Sequence, residues 1–213
     1  MERPILNDTR PIRRHSGALA PMVALGGILL ATLLDPSFSW TGDALSHLGV
    51  REPSAVAFNG ALVVGGLLAL PYAHLLYERS GRRMGPTERA TADPRAGRAL
   101  GVVFGVAGAC LAGVGLFPMG HPLHLPAAVG FYLLATVAFL IDGLARRDQY
   151  TGTATLRLAV VHVLVWTTWG AGWWPGAGLA LPEFAGALLV AVWVWWLGPL
   201  PALRAGRDAR TGT

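Results

Sequence analysis

Lysine is missing from this chain, and all of its positive charge rests on 17 arginines. Charge of either sign is scarce. Charged residues make up 14% of the sequence, against about 25% in a soluble domain. With 53% of residues hydrophobic, that shortage excludes an ordinary water-facing globular surface and points to a membrane protein. A single cysteine, Cys110, excludes an intramolecular disulfide. It lies inside an apolar run and reads as a small buried hydrophobe. Several signatures are absent: the phosphate loop, the dinucleotide fingerprint, GxSxG, HExxH and CxxC. There is no internal repeat.

What is present is a series of apolar runs. Six of them, at residues 17–34, 56–76, 99–117, 123–144, 156–172 and 184–200, are expected to cross a bilayer as helices. The first has 18 residues, which at about 1.5 Å rise spans roughly 27 Å, just enough to cross. No small-residue cleavage site follows it, so it is not expected to be a signal peptide. The fold expected is therefore all-α, one bundle of six transmembrane helices. Residues 1–16 form a cytoplasmic segment, 17–200 the membrane domain and 201–213 a cytoplasmic tail expected to be disordered. The Arg-rich connection at 78–98 is expected to be mobile. Pro71 is expected to bend or end the second span. Small residues at 101, 105, 108, 109 and 113 give the third span a face for close helix approach.

The arginines set the orientation. Sixteen of the 17 fall in the N-terminal segment, the second and fourth connections and the tail, while Arg51 alone falls on the opposite side. Arginine excess marks the cytoplasmic side, so both termini are expected in the cytoplasm of a cell-membrane protein. The basic balance thus reads as topology and not as a nucleic-acid surface.

The chemistry-bearing residues gather on the arginine-poor side. Gly42-Asp43-Ala44-Leu45-Ser46-His47-Leu48-Gly49 places an acid, a hydroxyl and an imidazole within five residues. If helical, Asp43, Ser46 and His47 share a face, and they are the candidate catalytic acid, nucleophile and base. The competing reading makes them caps that satisfy backbone groups at a membrane boundary. His121 is expected to cap the fourth span with Pro122 at its first position. His121 and His124, with His47 and Asp43, form a candidate four-ligand metal set, zinc being the metal such ligands suit. In residue types alone this set is similar to the zinc sites of alkaline-ceramidase-like membrane hydrolases. Glu183 opens the sixth span, where a helix N-terminus favours an acid. His162 lies within the fifth span, as a buried hydrogen-bonding group or a proton relay. Asn59 opens the second span. Asp142 and Arg146, four positions apart, are expected to pair. His74 is expected to snorkel. The tryptophans at 166, 169, 173, 174, 193, 195 and 196 suit packing better than a pigment or lipid platform.

Six spans carrying Gly-Asp-Ala-Leu-Ser-His-Leu-Gly after the first and Phe58-Asn59-Gly60 at the second resemble the domain-of-unknown-function 998 family. Gly115-Leu116-Phe117-Pro118 followed by His121 and His124, and the late Leu181-Pro182-Glu183, fit the same pattern. Where the family commonly has aspartate, this chain has His47. The resemblance covers roughly residues 17–200. It implies a prokaryotic integral membrane protein, often archaeal, with no activity attached. The function expected is a lipid-associated or accessory membrane protein with a polar external cap. A metal-dependent hydrolase acting on lipid and a small-solute or proton-coupled transporter are the alternatives. Membrane lipid is the expected partner, with no nucleic acid. The sequence does not decide whether there is a reaction at all.

Overall fold

The computed structural model describes residues 10–79 and 93–202. They form six α-helices: α1 (Arg10–Leu34), α2 (Ser54–Arg79), α3 (Pro94–Leu116), α4 (His124–Ala145), α5 (Tyr150–Gly170) and α6 (Ala180–Val192). A short 3-10 helix, Leu45–Gly49, lies between α1 and α2, and a π-helical turn, Trp193–Leu197, follows α6. No strand occurs among the described residues.

Helices α1 to α4 pack in chain order, each closely against the next. Small residues make this possible. A Cβ on Gly66 of α2 would come within 2.5 Å of the Ala112 nitrogen and the Gly108 oxygen of α3, so two backbones touch where only glycine leaves room. Helix α5 packs on α4, and α6 closes the ring through sparser contacts with α5 and α1. The core divides into two regions. Tyr72, Leu100, Phe104, Phe139 and Trp193 fill the half nearer the chain termini. Ile28, Leu45, Leu48, Phe58, Leu62 and Ala180 fill the half beneath the connections between α1 and α2 and between α5 and α6. The outer surface is apolar as well: Leu33, Val56, Leu125 and Leu133 all stand exposed. In water such a surface would be a liability, and in hydrocarbon it is the expected exterior.

Among the described residues, five helical segments are long and apolar enough to cross a membrane: Ile12–Leu34, Ser54–Glu78, Pro94–Leu116, His124–Ala145 and Ala180–Leu197. Helix α5 is not among them. Thr151, Thr153, Thr155, Arg157, Thr167 and Thr168 dilute its apolar character.

Several expected boundaries shift. Helix α1 begins at Arg10 and not at Gly17, so Pro21 sits in its interior. Pro71 neither ends α2 nor stops it short, since the helix continues to Arg79. Helix α4 begins at His124 with Leu123 as its N-cap, so His121 lies in the preceding turn. Its amide bonds Pro118 O at 3.0 Å, and Gly120 takes φ +98°, a left-handed conformation that favours glycine. That turn occupies the residues expected to start the helix. The tail from 203 onward, the stretch 80–92 within the expected mobile connection, and residues 1–9 lie outside the described residues.

The end nearer the termini is fixed by a buried ion pair. The Asp142 and Arg146 side chains are both wholly buried and paired. Arg146 Nε donates to Asp142 Oδ1 at 2.7 Å, its NH1 to Thr151 Oγ1 at 2.9 Å and its NH2 to Leu197 O at 2.8 Å. Trp193 Nε1 donates to Asp142 Oδ2 at 2.8 Å. One guanidinium thus joins α4, α5 and the π-helical turn. From that turn onward the chain folds back on α1 and α2. Tyr72 donates to Leu200 O at 2.8 Å, Arg14 NH2 to Pro201 O at 2.7 Å, and Trp195 Nε1 to Ala18 O at 3.0 Å.

Candidate functional site

At the opposite end a cluster of polar side chains gathers around Arg51, the one arginine on its side of the sequence. Arg51 NH2 donates to Asp43 Oδ1 at 3.0 Å, and its NH1 to Asp43 Oδ2 at 3.1 Å and Asp35 Oδ2 at 3.3 Å. Asp43 Oδ2 also accepts the Ser39 amide at 2.9 Å. Hydrogen bonds from the Arg51 guanidinium hold the Asp43 carboxyl below the usual carboxylate range. The Ser37 hydroxyl, 2.6 Å from Asp35 Oδ1, does the same for Asp35, with the Ser37 amide and Arg51 adding to it. The two carboxylates in turn raise the Arg51 pKa, Asp43 foremost.

His47 Nδ1 lies 2.8 Å from Asp43 Oδ1 and 3.2 Å from the Ala44 amide. Its ring therefore braces the turn into the 3-10 helix. Asn59 Nδ2 donates to Gly49 O at 2.8 Å and secures the end of the same helix. The Ser54 hydroxyl, 2.9 Å from Leu48 O, adds a second tie to α2.

Of the candidate catalytic trio, Asp43 and His47 meet each other. Ser46 turns the other way, inward, and its hydroxyl donates to Met119 Sδ at 3.5 Å. The 3-10 geometry explains this. Side chains three apart eclipse in such a helix, and Asp43 precedes its first residue, so no shared α-helical face exists. Of the candidate metal ligands, His121 is exposed and stacks on Phe117 with ring centroids 4.8 Å apart, while its Nδ1 accepts the Leu123 amide at 3.1 Å. His124 Nδ1 lies 2.7 Å from Phe117 O. No hydrogen bond or ion pair among the described residues joins this pair to Asp43 or His47. Nor do the described residues gather three His, Cys, Asp or Glu side chains at metal-binding reach.

Glu183 sits in the first turn of α6, as its position predicts, and reaches across the bundle. Its Oε2 accepts the Leu45 amide at 2.7 Å. Two backbone bonds run beside it, Ala180 N to Asp43 O and Gly178 N to Thr41 O, both 2.9 Å. The start of α6 and the 3-10 helix therefore form one lid.

Beneath the lid lies an apolar cavity of about 90 Å³. Its walls come from α1, α2, α3, α4 and α6, the same five elements that are long and apolar enough to cross a membrane. Helix α5 contributes nothing to it. On α4 the lining runs from His124 to Phe139, roughly 22 Å at helical rise. Gly17, Phe104, Phe139 and Val194 mark the end nearer the termini, and Ser46, His124 and Glu183 mark the lidded end. Between those ends the lining is hydrocarbon apart from Tyr132, whose hydroxyl is committed to Glu183 O at 2.9 Å.

His162 faces away from this cavity. It is fully buried between α4, α5 and α6, with Nδ1 2.8 Å from Thr136 Oγ1. It packs on Tyr132 and Phe139, and its Nε2 has no polar partner. A Cβ on Gly186 would stand 3.1 Å from that nitrogen, so the glycine backbone occupies the space in front of it. His74 reaches outward to Glu78 Oε1 at 2.9 Å. Trp193 is wholly buried and Trp173 is 78% exposed, so the tryptophans form no single platform.

Sequence reasoning did not find the cavity, the role of Tyr132 or Arg51 as the hub of the cap. For Arg51 a signal existed, since a lone arginine on the arginine-poor side calls for carboxylate partners. The cavity has no such signal, because its lining is spread over five helices as ordinary Ala, Leu, Gly and Phe.

Apolar helices around a buried cavity, apolar side chains facing outward and polar groups at the bundle ends define a multi-pass membrane protein. The family model described as "Protein of unknown function (DUF998)" matches residues 18–199. The chain belongs to that family. No curated protein and no solved structure matches it.

Proposed function

We propose that this protein is a lipid-associated membrane protein that holds one apolar chain, drawn from the surrounding bilayer, along the axis of its bundle. The cavity carries this reading. A space of about 90 Å³ exceeds what one water needs, and a hydrocarbon-lined stretch without free polar partners stays dry and takes apolar guests. Along roughly 22 Å of helix that volume makes a narrow bore, suited to a single slender chain. Its polar end lies under the lid, so the guest is an amphiphile with its head at Ser46, His124 and Glu183. In this reading the arginine-poor lid is external, both termini are cytoplasmic in the cell membrane, and α5 is the sixth crossing, sheltered by α4 and α6.

The test is native mass spectrometry of protein purified in mild detergent, beside an Ala187→Phe variant whose new ring fills the cavity. Wild type should retain one lipid-sized adduct per chain and the variant should not. Equal adducts on both would place the lipid outside the cavity and end the proposal. Circular dichroism of the variant confirms that the bundle has formed.

A further inference from the structure

The lidded end of the cavity has a one-sided hydrogen-bonding character. Three side chains supply its free polar atoms: Ser46, His124 and Glu183. A carbonyl only accepts, so His124 Nδ1, 2.7 Å from Phe117 O, must carry its proton toward that oxygen. Whenever the ring is neutral, Nε2 is then a bare lone pair. Glu183 Oε2 is occupied by the Leu45 amide, which leaves Oε1. The Ser46 proton is directed at Met119 Sδ, which leaves the lone pairs of its oxygen. Each of the three therefore presents an acceptor. Among the described residues no arginine lines the cavity, and Arg51, the cation of the lid, is committed to Asp35 and Asp43.

We infer that the head of the bound chain is a hydrogen-bond donor, a hydroxyl or an amine, and not an anion. This rests on the amphiphile reading of the same cavity and narrows it. A phosphate or carboxylate head would leave water for a site with no cation to neutralise it, and buried charge without a partner is strongly disfavoured. A hydroxyl satisfies one acceptor and receives nothing it cannot use. An ammonium satisfies up to three and, with Glu183 ionised, is complemented by it. The two donor heads share one chemistry, and the experiment separates them.

Three photoreactive single-chain probes of equal length, ending in hydroxyl, amine and carboxylate, would be cross-linked to the full chain in nanodiscs and mapped by mass spectrometry. The hydroxyl or amine probe should label cavity-lining peptides of α1, α4 and α6 about tenfold more than the carboxylate probe, a preference of about 1.4 kcal/mol. Glu183→Gln keeps an acceptor for Leu45, so the lid should hold. In this variant amine labelling should drop toward the hydroxyl level, which itself stays within about twofold of wild type. Carboxylate labelling equal to or above the donor heads would overturn the inference and leave the apolar-chain reading standing. Failure of every probe to label wild type above Ala187→Phe would remove both.

Discussion

The Glu183 carboxylate accepts the backbone N–H of Leu45, 138 positions earlier in the chain, at 2.7 Å. Through that bond the first turn of the last helix holds down a short 3-10 helix between the first two. Leu45 is almost wholly buried, and Glu183 is the acceptor its amide finds.

The identity of residue 183 should therefore govern the stability of the lid. Glu183→Ala orphans the Leu45 amide, and an unsatisfied buried donor costs about 1–3 kcal/mol. Glu183→Gln retains an acceptor and should cost clearly less. Thermal unfolding in detergent ranks the two, and an Ala variant as stable as the Gln variant would show that the bond contributes nothing.

The buried pair at the other end should behave as a coupled unit. Asp142→Ala leaves the Arg146 guanidinium without its carboxylate, a change that costs about 3–5 kcal/mol when a buried partner is removed. The double change Asp142→Leu with Arg146→Met removes both charges and should be milder than either single change. Denaturation midpoints of Asp142→Leu, Arg146→Met and the double variant test this, and additive losses would contradict coupling.

Acid should weaken the cap. Asp43 and Asp35 titrate below the usual carboxylate range when folded, so the unfolded chain takes up their protons first. Their contribution is fully present above the unfolded value of about 3.9 and is lost as pH falls through the folded values. Below about pH 4 the melting temperature should therefore decline. Arg51→Gln removes the main cause of the Asp43 shift and should flatten the decline. A decline as steep in Arg51→Gln would assign it to other carboxylates.

Reporter fusions decide whether α5 crosses. Six crossings place a fusion after Thr213 on the same side as one within residues 80–92, the cytoplasm by the arginine count. Opposite signals would mean that α5 lies along the bundle without traversing the bilayer.

Five of the six helices were legible as membrane-length apolar runs because burial in lipid demands such runs, while α5 falls short of that criterion. Ends were less so. Helix α1 starts at Arg10, and Arg13 and Arg14, which read as ordinary flanking charges, find Glu78 and the Pro201 carbonyl. Those partners lie 65 and 187 positions away, beyond any local pattern. The Asp142–Arg146 pair was legible because its spacing is helical and local. The site was legible in part. Ser46, His124 and Glu183 each drew notice as polar residues at a boundary, but the sequence grouped Ser46 with Asp43 and His47. The 3-10 turn separates them, and only packing across five helices shows which polar groups face a common space.

The most direct test of the central claim is an experimental structure of the full chain in lipid nanodiscs. Elongated density should run between α1, α4 and α6, ending about 3 Å from His124 Nε2, Glu183 Oε1 or Ser46 Oγ. A collapsed interior, with no such density and the helices packed flush from Gly17 to Ser46, would contradict it.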